Sequence, residues 1–150
     1  MSVSHGSWTI EREYPHPPDQ VFAAWSDPGT KILWFDLSGS ADSDYRSDFR
    51  VGGTESFHMR EGVAPRFTYD AQYRDIVEDE RIVTTYEMSM DGRRISVSVA
   101  TVELSATPAG TRLVYTEQGA FLDGLDDAAS RRSGTTAQLD ALATVLKERA

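Results

Sequence analysis

Thr101-Val102-Glu103-Leu104-Ser105-Ala106-Thr107-Pro108-Ala109-Gly110-Thr111-Arg112-Leu113-Val114-Tyr115-Thr116-Glu117-Gln118 carries two strand-like runs on either side of a Pro-Ala-Gly turn signal. If Pro108 and Ala109 form a two-residue hairpin turn, Leu104 falls opposite Leu113, Val102 opposite Tyr115 and Ala100 opposite Glu117. All three pairs share the apolar face. Glu117 therefore continues the inward line of Leu113 and Tyr115, where a carboxylate must find partners or hold a raised pKa.

Upstream of the hairpin the strand pattern repeats. Residues 95–104 change phase, with apolar positions odd at first and even later, which predicts a β-bulge near Ala100 or Thr101. With a two-residue turn at Asp91-Gly92, that bulge sets Met88 opposite Ile95, Tyr86 opposite Val97 and, beyond it, Ile82 opposite Val102. Ile82, Thr84, Tyr86, Met88 and Met90 alternate with polar partners, as do Phe67, Tyr69, Ala71 and Tyr73, with a turn at Glu78-Asp79-Glu80 between them. Residues 49–59 read as two strands folded at Gly52-Gly53, and the polar residues 38–47 as a loop running into an edge strand. Residues 8–14 form a first strand that stops at Pro15, Pro17 and Pro18. A short helix opens at Pro18-Asp19-Gln20, carries Val21, Phe22, Ala24 and Trp25 on one side, and ends at Asp27-Pro28-Gly29. A second short helix holds Ile32, Leu33, Trp34 and Phe35.

Downstream, residues 126–149 place Leu139, Leu142, Ala143 and Leu146 at i, i+3, i+4 and i+7, the stripe of one amphipathic helix. That helix is the only element large enough to cover the sheet. The expected class is α+β: a curved antiparallel sheet of six to seven strands wrapped around a long C-terminal helix, with two short helices after the first strand. Without repeats, linkers or low-complexity stretches, residues 1–150 read as one domain.

Composition narrows the partners. With 24 acidic against 15 basic residues the net charge is -9, which repels phosphate backbones and anionic headgroups, so neither nucleic acid nor a membrane is expected. No cysteine is present, which excludes disulfides, thiolate catalysis and Cys-based metal sites. The first residues lack a basic and apolar leader pattern, so a cytoplasmic location is expected. His5, His16 and His58 are far apart and follow no metal-ligand spacing; no nucleophile elbow or phosphate-binding glycine loop occurs; hence no metal and no cofactor is expected.

Strand parity supplies the candidate site. Glu55 shares parity with Phe57 and Met59, which makes it a second inward acid beside Glu117, whereas His58 has the opposite parity and points outward. Two inward carboxylates could act as general acid or base, or hold a ligand's amine or hydroxyl; alternatively each is satisfied by an arginine, with Arg66 and Arg94 as candidates, or by water at the mouth. Trp25, Trp34, Phe57, Phe67, Tyr69, Tyr73, Tyr86, Tyr115 and Phe121 are either ordinary core or cavity lining, as is Met88. Inward tyrosines favour a pocket studded with polar groups, because a buried hydroxyl needs a partner.

The words Pro18-Asp19-Gln20-Val21-Phe22-Ala23-Ala24-Trp25-Ser26-Asp27-Pro28 and Trp34-Phe35 resemble the opening of Aha1-type proteins in the START/SRPBCC superfamily, a branch named for homology to the activator of a heat-shock-protein ATPase. Asp48-Phe49-Arg50-Val51-Gly52-Gly53, Asp79-Glu80-Arg81-Ile82-Val83, Thr101-Val102-Glu103-Leu104, Gly110-Thr111-Arg112-Leu113 and Thr116-Glu117-Gln118-Gly119 fall where that family places similar words. One departure is Gly134-Thr135, where many relatives carry Gly-Trp at the start of the last helix. The resemblance implies a helix-grip fold around a cavity, in a superfamily that includes lipid carriers and polyketide cyclases. The expected function is binding of a small hydrophobic or aromatic molecule by a monomer or homodimer. A cyclase- or hydrolase-like enzyme using Glu117 with Glu55 or a tyrosine is the alternative, and a chaperone-activator role ranks last. Fold kinship by itself does not set the chemistry.

Overall fold

The computed structural model describes residues 2–38 and 43–149. The polar loop expected at 38–47 thus lies partly outside the described residues. In chain order the elements are β1 (Val3–Tyr14), α1 (Pro18–Ser26), α2 (Pro28–Phe35), β2 (Asp44–Ser47), β3 (Thr54–His58), β4 (Phe67–Val77), β5 (Arg81–Met90), β6 (Arg93–Thr107), β7 (Gly110–Leu122) and α3 (Ala128–Arg149). The strands form one open, curved antiparallel sheet in the order β1-β7-β6-β5-β4-β3-β2. This is the helix-grip arrangement expected from the sequence.

Local chemistry sets the boundaries. Pro18 occupies the first turn of α1, where its missing N–H removes no helical bond. Asp27 precedes Pro28, which disfavours helical geometry at Asp27 and ends α1 there. Asp27 also caps α2: its Oδ2 accepts from the Thr30 backbone N–H at 3.2 Å and from the Thr30 hydroxyl at 2.6 Å. At the β5-β6 turn both Asp91 and Gly92 have positive φ, at 53° and 81°, the backbone twist that a tight two-residue hairpin demands. Gly110 starts β7 where a Cβ would overlap the Tyr14 carbonyl oxygen, so only glycine lets β7 pass this close to the end of β1.

The β6-β7 register is the one the sequence predicts: Leu104 pairs Leu113, Val102 pairs Tyr115 and Ala100 pairs Glu117. Three expectations are corrected. First, β1 begins five residues early, at Val3, because the whole length of β7 is available to pair it. Second, only residues 54–58 of the stretch 49–59 form a strand; Phe49 and its neighbours lie in a turn tied by Arg50 N–H to Asp48 O and by Gly53 N–H to Arg50 O. Third, the phase change in β6 is absorbed beside the Asp91-Gly92 turn and not near Ala100. The register slips between Met88 and Ser89, so that Met88 pairs Ser96 and Tyr86 pairs Ser98, while Ile82 still pairs Val102. Ser96 and Ser98 consequently face inward and are buried, and Val97 points outward.

α3 turns Leu139, Leu142, Val145 and Leu146 inward; Ala143, expected on that stripe, is exposed. Each buried leucine contributes roughly 1.5–3 kcal/mol. The helix makes its main backbone approaches to α2, β1 and α1, and not to β4, β5 or β6. It is therefore held at the flank of the sheet and stands away from the middle of the concave face. The Tyr14 hydroxyl donates to the Leu139 carbonyl at 2.9 Å, and the Gln138 amide donates to the Phe35 carbonyl at 2.9 Å, so both sides of the helix are tied.

Candidate ligand-binding cavity

Between α3 and the concave face lies a cavity of about 520 Å³, within the size range of small-molecule sites. Its wall is largely apolar. Of the residues left open between core and lining, Trp25, Trp34, Phe57, Tyr69, Tyr73, Tyr86, Met88 and Tyr115 border this space. Phe67, from the same set, also lies on the wall. Glu55, Glu117 and Phe121 do not: both acids sit behind the tyrosines, and Phe121 packs against Trp8 with ring centroids 6.5 Å apart. Leu37 and Ser38, which follow α2 and are exposed, mark the rim.

The aromatic rings hold one another in place. Tyr69 lies 4.8 Å from Tyr86 and 5.1 Å from Phe35, and Trp25 meets Trp34 edge-on at 4.6 Å, within the range of favourable ring pairs. Trp34 is fixed further by its indole N–H, which donates to the Ala24 carbonyl at 3.0 Å.

Behind this wall each carboxylate anchors a polar cluster. Glu55 is 1% exposed, and its Oε2 accepts from Lys31 Nζ at 2.7 Å and from the Tyr45 hydroxyl at 2.6 Å; Oε1 accepts from the Tyr69 hydroxyl at 2.9 Å. Burial pushes this carboxyl up, but the Lys31 charge and the three donors outweigh burial and hold it below the ordinary carboxylate range. Lys31 also lies over the rings of Phe35, Trp25 and Trp34, at 4.7, 5.1 and 5.7 Å.

The second cluster differs in its balance. Glu117 is fully buried and accepts from the Tyr86 hydroxyl at 2.7 Å and the Tyr115 hydroxyl at 2.6 Å. Its nearest cation, Arg131 Nη1, is 3.9 Å away. Burial dominates, only partly opposed by the two tyrosines and the arginine, so the Glu117 carboxyl is pushed up. Arg131 Nη1 donates to the Tyr86 hydroxyl at 3.0 Å, and Nη2 donates to Ser96 Oγ at 2.8 Å and Asp126 Oδ2 at 2.7 Å. One chain of hydrogen bonds thus runs Arg131 to Tyr86 to Glu117, with Tyr115 meeting it from the other side. Desolvation and the adjacent carboxylates raise the phenol pKa of Tyr69, Tyr86 and Tyr115 well above the ordinary value, so all three remain protonated donors.

The cations serving these acids are not the expected ones. Arg66 donates to the Met59 carbonyl at 2.8 Å, and Arg94 pairs with Glu87 at 3.0 Å on the exposed side. Lys31 and Arg131 take their place. A signal for both existed: Lys31 lies one turn before Trp34, and Arg131 lies eight residues before Leu139, on the backward extension of the α3 stripe through Thr135. His58, expected outward, lies beside Asp70 with Nε2 2.9 Å from Oδ1. Among the described residues no cluster of three or more His, Cys, Asp or Glu could hold a metal, and no helix is long and apolar enough to cross a membrane.

Residues 15–147 match the model of the activator of Hsp90 ATPase homolog 1-like family. The chain belongs to this family. A structure of an uncharacterized protein from Rhizobium leguminosarum is 42% identical, with a TM-score of 0.93, and the alignment covers 98% of this chain and 97% of that one. A Rhizobium loti protein is 46% identical, with a TM-score of 0.89 and coverage of 97% and 99%. A Staphylococcus aureus protein of unknown function, at 18% identity, TM-score 0.79 and coverage of 98% and 96%, shares the fold. No curated protein matches the chain. The activator-like chain thus shares its architecture with proteins of three bacterial species.

Proposed function

We propose that this member of the activator-like family is a cytoplasmic binding protein, monomeric or homodimeric, that encloses one small hydrophobic or aromatic molecule between α3 and the sheet. The observation that carries the proposal is the 520 Å³ space walled by aromatic side chains, with two hydrogen-bonded polar clusters around Glu55 and Glu117 behind them. Such walls recognise ligands by apolar burial, and a few fixed polar groups orient them. A chain with no cysteine suits a compartment where disulfides do not persist. The test is thermal unfolding against a broad panel of aromatic, lipid and polyketide-like compounds, together with mass spectrometry of material carried through purification. A ligand at a hundred times its Kd adds about 2.7 kcal/mol, so a clear rise in Tm is expected for some compound. Unchanged melting across the panel, with no small molecule carried over, removes the proposal.

A second reading is favoured by one feature, the raised pKa of Glu117 beside two tyrosines on the cavity wall. A carboxyl whose pKa burial pushes up holds its proton to higher pH than an ordinary one and can serve as a general acid, as in cyclisation or hydrolysis. Glu117 does not itself line the cavity, so its proton would reach a substrate through the Tyr86 or Tyr115 hydroxyl. Under this reading Glu117→Gln abolishes turnover and leaves binding intact; full turnover in the variant removes Glu117 from the chemistry.

A further inference from the structure

The polar groups on the cavity wall differ in what they leave unused. The Tyr86 and Tyr115 protons go to Glu117, and the Tyr69 proton goes to Glu55. Of the two cations on the wall, Lys31 gives one N–H to Glu55 and lies over the rings of Phe35, Trp25 and Trp34, whereas Arg131 is different. A guanidinium carries five N–H bonds. One Nη1 hydrogen meets Tyr86 and the two Nη2 hydrogens meet Ser96 and Asp126, which leaves Nε–H and the second Nη1 hydrogen with no protein acceptor among the described residues. This side chain is 9% exposed and belongs to the wall. The indole N–H of Trp25, also on the wall, is buried without a partner. The unused polar capacity of these two groups therefore consists of donors.

Charge decides what kind of acceptor fits them. Arg131 already has Asp126 at 2.7 Å and Glu117 at 3.9 Å. A ligand carboxylate would place a third acid around one guanidinium, inside a chain of net charge -9. A neutral carbonyl oxygen satisfies the same N–H groups without that repulsion. A hydrogen bond from a charged donor in a dry site is also among the stronger neutral-acceptor contacts.

Building on the cavity's proposed role as a ligand site, we propose that Arg131 is its polar anchor and that the ligand is an uncharged apolar molecule bearing a carbonyl oxygen, such as a ketone, quinone, lactone or amide. Arg131 Nε–H or Nη1–H donates to that oxygen, and the aromatic wall takes up the remainder. Free acids are selected against.

Three probes sharing one apolar body test this by calorimetric titration: 2-acetylnaphthalene, 2-ethylnaphthalene and 2-naphthoate. In the unsubstituted protein the ketone is expected to bind and the naphthoate to bind least. Arg131→Met is expected to weaken the ketone about tenfold, the equivalent of one charge-assisted hydrogen bond, and to leave the hydrocarbon within about twofold. Because Arg131→Met also removes bonds to Ser96 and Asp126, a second readout uses the unsubstituted protein alone. The carbonyl stretch of ¹³C-labelled 2-acetylnaphthalene is expected to be lowered on binding relative to the ketone in an apolar solvent. Tightest binding by naphthoate, an unshifted carbonyl stretch, or equal loss of ketone and hydrocarbon in Arg131→Met overturns the carbonyl anchor while leaving an apolar cavity in place. Failure of all three probes to bind, alongside an unresponsive broad panel, overturns the cavity reading and this inference with it.

Discussion

Replacing Lys31 with Met removes one partner of the most enclosed ion pair among the described residues. The Lys31 and Glu55 side chains are 5% and 1% exposed, so solvent screening provides little relief. The Met side chain keeps most of the apolar stem, and the loss is therefore chiefly electrostatic. Breaking a buried pair by removing one partner costs about 3–5 kcal/mol. Near this chain length each kcal/mol lowers Tm by roughly 2–4 °C, so a fall of about 6–20 °C at pH 7 is expected. The pH dependence gives a sharper check. In the natural chain Glu55 is held below its ordinary range, so its contribution is present above the unfolded carboxyl value, about 4.3, and is lost as pH falls through the lower folded value. Without Lys31, burial is opposed only by Tyr45 and Tyr69, and the carboxyl shifts upward; its folded form then retains the proton and loses stability as pH rises from the unfolded value through the raised one. The deficit should accordingly be largest near pH 7 and smallest near pH 4. Adding Glu55→Gln to Lys31→Met should recover much of it. Denaturant unfolding of the two single variants and the double variant from pH 4 to 8 measures all of this. A loss below about 1 kcal/mol at pH 7, or a loss independent of pH, refutes the reasoning, because it would mean that the pair behaves as a surface contact.

The same clusters and packing give further expectations. Glu117→Gln should gain stability relative to the natural chain as pH rises from 4 toward 7, because a carboxyl with a raised folded pKa is fully favourable below its unfolded value and becomes a cost as pH climbs through the folded one; parallel stability curves for the two proteins would contradict this. Tyr14→Phe removes the hydroxyl bond to the Leu139 carbonyl and should cost about 0.5–1.5 kcal/mol, read as a drop of a few degrees in Tm. Leu142→Ala, at a fully buried helix position, should cost about 2–5 kcal/mol, whereas Met88→Ala, whose side chain borders open space, should cost less than about 1.5 kcal/mol. Equal losses at Leu142 and Met88 by chemical denaturation would mean that the space is closed in solution.

The hairpin around Pro108 and Ala109 was readable to the residue because its turn length and apolar alternation agree, and a slip of one position would expose Leu113 and Tyr115. The C-terminal helix was readable for a similar reason, although Val145 and not Ala143 shares the face of Leu146. β6 misled because Val97 and Val99 are β-branched residues on the outer face, so hydrophobicity alone did not mark the inside; a bulge beside a turn leaves almost no trace in composition. The acids Glu55 and Glu117 could be placed by parity. Their cations left only the weaker signal of helix phase, because Lys31 is 24 residues from Glu55 and on a different element, and a lone lysine or arginine on a short apolar stripe usually reaches solvent. Strand periodicity reports which way a side chain points; it carries no information about which distant helix will meet it.

Side-chain hydrogen bonds tie α3 in place, from Tyr14 to the Leu139 carbonyl, from Gln138 to the Phe35 carbonyl and from Arg131 to Ser96 and Tyr86. They act as spacers that set the height of a vault, so half-buried residues on its floor, such as Met88 and Phe67, bear little of the load. Exchanging those residues recasts the interior contour while the arch stands, which lets the shape of the space vary without relearning how to fold.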